Sequence, residues 1–190
     1  MNVYDFDGTI YSGDSSVDFY FYSLRRQPGI IRYAPGQAKG ALLYFLKRID
    51  KKSLKEHFFS FLRGIDAAQY AEDFWQKNAG KIRPWYLQQQ APDDAVISAS
   101  PEFLLQPICR MLNIQHLIAS KVQLSSGRFL AENCYGAEKL RRWNEESGHR
   151  EIDCFYSDSQ SDAPLASFAK NAFLLKNGAW VAWNPASDDR

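Results

Sequence analysis

Val3-Tyr4-Asp5-Phe6-Asp7-Gly8-Thr9-Ile10 opens the chain as an apolar run interrupted by two acids and a glycine. Met1–Phe6 reads as a short strand, and Asp7-Gly8-Thr9 as the turn that ends it. Side chains two apart share a face of a regular strand, but here strand gives way to turn. Asp5 and Asp7 can serve one point only if the chain bends, and Gly8 permits the bend. The question for the rest of the sequence is whether more strands end beside this one.

Several do. Ala95–Ser98 is a short apolar strand, followed by a helix from Ser100-Pro101-Glu102 with Ser100 at the N-cap. Leu117–Ala119 reads as a strand and Val122–Leu130 as a hairpin about Ser126-Gly127. A helix runs from Gly136 through Trp143. Ile152–Tyr156 is a strand with a helix from about Ala163, and Ala172–Leu175 and Ala179–Trp183 form a last hairpin about Asn177-Gly178. Alternating strands and helices predict an α/β fold with a mostly parallel, doubly wound, Rossmann-like sheet.

Between residues 14 and 85 the texture is helical. Val17, Phe21 and Leu24, then Leu54, Phe58, Phe61 and Leu62, recur at spacings of three and four. Pro28-Gly29 and Pro35-Gly36 read as turns, and Ser53 with Glu56 as a capping box. Charge marks the same boundary. Residues 14–86 hold 13 basic and 7 acidic residues, +6, whereas the remainder holds 10 and 15, −5. The segment also carries 15 of the 28 aromatics. The organisation expected is a core of 1–13 and 86–190 with a helical unit, 14–85, inserted.

Composition excludes several classes. With 45% hydrophobic residues the 190-residue chain has enough apolar side chain for a core, so it is not disordered. The net charge of +1 gives no electrostatic case for nucleic acid. Cys109, Cys134 and Cys154 form no paired spacing, which fits a reducing, cytoplasmic setting. Asp5 and Asp7 break the apolar run at the start, so no export signal is expected. No apolar stretch approaches the ~20 residues a spanning helix needs. No Gly-x-Ser-x-Gly elbow supports a serine hydrolase.

Open α/β sheets bind ligands beyond the carboxyl ends of their strands. Asp5, Asp7, Ser98, Asp158 and Asp162 fall at that edge, with Lys139 on the helix beside it. Clustered carboxylates repel unless a cation holds them ionised, and all-oxygen donors suit Mg²⁺. A carboxylate can attack phosphorus, and a second can protonate the leaving oxygen and then activate water. Amides around Gly8 and Thr9, together with Ser98 and Lys139, would offer donors to a phosphoryl group.

Asp5-Phe6-Asp7-Gly8-Thr9-Ile10 resembles the first motif of the haloacid dehalogenase (HAD) superfamily. Val96-Ile97-Ser98 resembles its second, Gly136-Ala137-Glu138-Lys139 its third, and Tyr156-Ser157-Asp158-Ser159-Gln160-Ser161-Asp162 its fourth. A helical insertion after the first motif is similar to the C1 cap of the phosphoserine-phosphatase-like branch. The resemblance implies a Mg²⁺-dependent phosphatase with Asp5 as nucleophile and metal ligand, and Asp7 as acid/base lending its carbonyl to the metal. It places Ser98, Ala99 and Lys139 on phosphate, Asp158 on Mg²⁺, and Asp162 supporting the metal site. Asp14 stands where that branch has an acid for the substrate's amino group. Where the branch usually reads Ser-Gly-Gly this chain has Ser98-Ala99-Ser100. The carboxylate-clamping Arg of the branch has no clear counterpart; by local context it would fall near His57, with Lys55 beside it. More loosely, the chain is similar to bacterial phosphatidylglycerophosphate phosphatases, through Asp5–Thr9, Tyr156–Ser159 and Leu24-Arg25-Arg26-Gln27-Pro28. The partner expected is therefore a small or lipid-like anionic phosphate ester, with peripheral contact to anionic lipid through the basic, aromatic cap. Phosphotransfer through the same intermediate, and non-catalytic binding of phosphorylated ligands, are the alternatives.

Overall fold

A computed structural model describes residues 1–176 and 178–183. Strand β1 (Asn2–Tyr4) ends at the opening motif. The chain then enters helices α1 (Ser15–Arg26), α2 (Ala34–Phe45), α3 (Lys51–Phe59), α4 (Ala67–Asn78) and α5 (Pro84–Gln89). After them β2 (Ala95–Pro101), α6 (Glu102–Met111), β3 (His116–Ser120), α7 (Ala137–Ser147), β4 (Cys154–Ser157), α8 (Ala163–Ala166), β5 (Asn171–Lys176) and β6 (Ala179–Ala182) complete the fold.

The sheet order is β3-β2-β1-β4-β5-β6. All pairs are parallel except β5 with β6. The predicted closing hairpin is present, but its turn residue Asn177 lies outside the described residues. β1 sits centrally, with Tyr4 opposite Val96 on one side and Tyr156 on the other. A parallel sheet is covered on both faces, which explains why its strands are apolar runs rather than alternations. Val3, Ala95, Ile97 and Phe155 pack one face with Trp143 and Leu165. Tyr4, Phe6 and Val96 face the other, where Phe19, Phe59, Phe61, Phe74 and Trp75 of the inserted segment join a single cluster. The Trp75 indole donates to the Leu104 carbonyl at 2.6 Å, tying α4 to α6.

Local readings differ in four places. Pro35 and Gly36 do not break the chain. They occupy the first turn of α2, where proline's missing N–H costs nothing. Pro28–Tyr33 is a 3-10 segment rather than a simple turn. The N-cap of α3 is Asp50, which accepts from Ser53 N at 2.7 Å, while Glu56 accepts from Phe129 N of the hairpin instead of closing a capping box. Ser100 is not the N-cap of α6. β2 continues past it to Pro101, and the Ser100 side chain turns elsewhere.

Candidate active site

Asp5 leaves β1 with its amide still paired, donating to Tyr156 O at 2.9 Å. The chain then turns through Asp7-Gly8, where Gly8 takes φ +72°. A Cβ at Gly8 would lie 1.8 Å from Asp158 Oδ2, so the Asp158 carboxylate rests directly against this turn. A side chain here would carry both the strain of positive φ and that clash. Asp158 follows β4 and Ser98 lies within β2, so the two strands flanking β1 deliver the neighbouring groups.

Lys139, in the first turn of α7, is 2% exposed. Its ammonium donates to Asp5 Oδ1 and Asp162 Oδ2, both at 2.7 Å. Asp162 Oδ2 also accepts from Ser157 Oγ at 2.8 Å. Burial works against the charge on Lys139, but the two carboxylates outweigh it and raise its pKa. Burial raises Asp5, and Lys139 only partly offsets it. These two shifts pull the pair in opposite senses. Two short contacts from one ammonium favour the charged lysine.

Asp7 Oδ1 accepts from Ser15 N at 2.6 Å, and Oδ2 accepts from the Ser100 hydroxyl. Burial pushes the Asp7 carboxyl up to about 6, with the charge of Asp14 adding to it and the serine bonds holding it down. A carboxyl near that value is able to give or to take a proton close to neutrality. Ser98 Oγ accepts from Ser100 N at 3.0 Å, which leaves its own O–H to donate elsewhere.

These groups line one cavity of about 680 Å³ that includes Asp5, Asp7, Gly8, Ser98, Ala99, Lys139, Asp158 and Asp162. Other expected residues behave differently. Thr9 is buried with its N–H on Phe6 O, and the Gly8 N–H is on Gly13 O. Neither amide is therefore available to a phosphoryl group, because the tight turn consumes both. Asp14 lines the cavity, but its carboxylate caps α1 through Val17 N at 3.0 Å. Asp162 bonds Lys139 and Ser157 at the edge of the cavity, a supporting place beside the other carboxylates.

Among the described residues no three His, Cys, Asp or Glu side chains converge as a metal cluster. The Asp5 and Asp158 carboxylates line the cavity around a turn whose glycine lets Asp158 approach. This all-oxygen set fits Mg²⁺, which commonly takes one or two carboxylates and keeps waters.

The sequence reading misses what four side chains contribute here. Ser15 and Ser100 hold Asp7. Lys55 of α3 lines the cavity and donates to Ala99 O at 2.8 Å and Asn133 Oδ1 at 3.3 Å. Lys51 lies over the Tyr135 ring, 3.4 Å from its centroid. The signal for the lysines was their four-residue spacing, which places both on one helix face. Val17, Leu54, Phe58 and Phe59 supply the apolar wall.

The family model for haloacid dehalogenase-like hydrolases matches residues 3–167. A probable phosphatase of Mycobacterium tuberculosis is 24% identical over 90% of this chain and 67% of its own length. Among solved structures, a Bordetella pertussis protein of unknown function superposes with TM-score 0.75 at 20% identity, covering 90% of this chain and 87% of that one. A phosphoserine phosphohydrolase-like protein of Francisella tularensis gives 0.58 at 18%, covering 94% and 88%.

Proposed function

The chain belongs to the haloacid dehalogenase-like hydrolases, and we propose that it is a Mg²⁺-dependent phosphomonoester phosphatase working through an aspartyl phosphate. The observation that carries this reading is the buried Asp5–Lys139–Asp162 bridge on the cavity floor, with Asp7 two residues away. A relative named as a probable phosphatase supports it.

Lys139 and Ser98 orient the phosphoryl group by donating to its oxygens. The Asp5 carboxylate attacks phosphorus, forming a C–O–P bond as the ester P–O bond breaks. Asp7 gives its proton to the departing alcohol oxygen. The Asp7 carboxylate then takes a proton from water, whose oxygen attacks phosphorus and releases inorganic phosphate, restoring Asp5. Mg²⁺ held by Asp5, Asp158 and the Asp7 carbonyl would offset the phosphoryl charge.

We read residues 14–85 as a cap that selects the leaving group. Its apolar wall beside Lys51 and Lys55 suits a small or lipid-like anionic ester. The exposed basic and apolar end of α2 supports peripheral contact with anionic lipid. Three free cysteines are in keeping with a cytoplasmic location, and among the described residues no helix is long and apolar enough to cross a membrane.

Asp5→Asn should lower phosphate release from an aryl phosphate by roughly 10³-fold or more, as loss of a covalent nucleophile does. EDTA should abolish the wild-type activity and Mg²⁺ restore it. Undiminished turnover by the Asn variant would rule out the covalent route. Phosphate appearing on an added alcohol instead of in solution would redirect the assignment to phosphotransfer.

A further inference from the structure

We propose that Ser100 is a positioning residue for proton transfer, its side-chain hydroxyl fixing the plane of the Asp7 carboxyl towards the leaving oxygen. The proposal rests on the phosphatase reading and assigns Asp7's orientation within it.

The pairing of β2 with β3 shifts register between Ser98 and Pro101: Ser98 lies opposite Ala119 but Pro101 opposite Ser120. Such an irregularity re-aims side chains. Here it places Ala99 and Ser100 outside regular pairing and turns Ser100 inward, 4% exposed, onto Asp7. The Ser16 hydroxyl lies 3.0 Å from the Ser100 hydroxyl, and Ser15 Oγ donates to it at 3.4 Å. The Ser100 hydroxyl can therefore accept from the start of α1 while donating to Asp7.

Both Asp7 oxygens are then tied from opposite sides, Oδ1 by the Ser15 amide of α1 and Oδ2 by Ser100 of β2. A carboxylate oxygen has two acceptor directions. One bond on each oxygen fixes the plane of the group and leaves each a second acceptor direction, in a side chain that lines the cavity. Ser100 also reaches the other working group, because its amide donates to Ser98 Oγ. One irregular residue thus links the acid/base to the phosphoryl-binding hydroxyl. A simple capping serine, which is how the sequence reads, would do neither.

The test exploits leaving groups. An alkyl phosphate needs its departing oxygen protonated, whereas a nitrophenyl phosphate departs with little help. The value of kcat/KM reports steps up to that departure, so later hydrolysis of the intermediate does not enter. Full-length Ser100→Ala should lower kcat/KM for the alkyl ester about ten-fold or more relative to the nitrophenyl ester, a fraction of the whole general-acid effect. Ser100→Thr, which keeps the hydroxyl, should hold the ratio within about two-fold of wild type. The ratio is independent of how much enzyme is folded, so partial misfolding of a variant does not blur it. Equal losses on both esters in the Ala variant, or no loss on either, would overturn the proposal, as would an altered ratio in the Thr variant. A wild-type protein that hydrolyses neither ester would instead remove the phosphatase reading itself, and the role of Ser100 with it.

Discussion

Lys55 and Lys139 are two ammonium groups at one cavity with opposite fates. Lys139 has two carboxylates in contact and stays charged. Lys55 bonds only to a carbonyl and an amide oxygen. Burial pushes its pKa down to about 8, Lys51 and Lys139 add repulsion, and Asp14 and Asp7 only partly offset it. The unfolded lysine titrates near 10.4, so between about 8 and 10.4 the unfolded chain binds more protons and stability rises with pH. The cost of the buried charge is fully present below that window. Lys55→Met should therefore melt above wild type at pH 7, with the difference shrinking towards pH 10. Wild-type KM for an anionic ester should rise as pH passes about 8, and that of the Met variant should stay flat. A melting difference independent of pH would show that Lys55 is not desolvated. Residue by residue, Asp5, Asp7 and Asp158 were legible because they follow short apolar strands, and Ser98 and Lys139 because they sit in short motifs; all five line the one cavity. Ser100 and Lys55 were less legible, because their partners are 93 and 44 residues away and depend on side-chain direction.

At the scale of elements, the geometry of the inserted helices turns on how closely α2 and α3 approach. Gly40 is buried in the middle of α2, and a Cβ there would meet His57 Cβ at 2.4 Å. Only glycine allows that spacing, which accounts for its place in a helix interior despite a cost of ~1 kcal/mol in propensity. Gly40→Leu should force the pair apart and destabilise the protein by about 1–3 kcal/mol. The expected reading is a lower urea midpoint with little change in slope, together with raised KM, since α3 carries the cavity lysines. Unchanged midpoint and KM would mean the two helices separate freely. Periodicity identified the helical segment, yet its internal punctuation was misread. Pro35-Gly36 looks like a turn, but proline fits a helix start as well as a loop. Ser53 looks like a cap, but Asp50 takes that place and frees Glu56 to bind the hairpin amide at Phe129. Such choices between equally suitable capping residues are settled by neighbours far along the chain.

For the molecule as a whole, the aromatic richness of residues 14–86 proves mainly structural. Trp75 packs edge-on against Phe6 and Tyr11, and Phe19 against Phe74 and Phe103, so these rings weld the inserted helices to the sheet. What remains outside is concentrated elsewhere. Phe45 is 82% exposed at the end of α2, with Leu42, Leu46 and Ile31 also exposed. Residues 28–49 contain Arg32, Lys39, Lys47 and Arg48 and no acidic residue. An apolar tip within an acid-free basic segment matches the interface of an anionic bilayer, where each basic residue contributes about 1 kcal/mol. A two-fold dimer through the same tip would set this basic surface against its own copy. The protein should therefore co-sediment with phosphatidylglycerol vesicles and not with phosphatidylcholine vesicles, and added salt should release it. Phe45→Glu should reduce partitioning, and Lys47→Glu with Arg48→Glu should reduce it by about ten-fold or more. Both changes lie away from the catalytic cavity, so turnover of a soluble aryl phosphate should be unaffected. Equal sedimentation with neutral and anionic vesicles would remove the electrostatic part of the argument. A wild-type dimer that Phe45→Glu dissolves, without vesicle binding, would assign the tip to self-association instead.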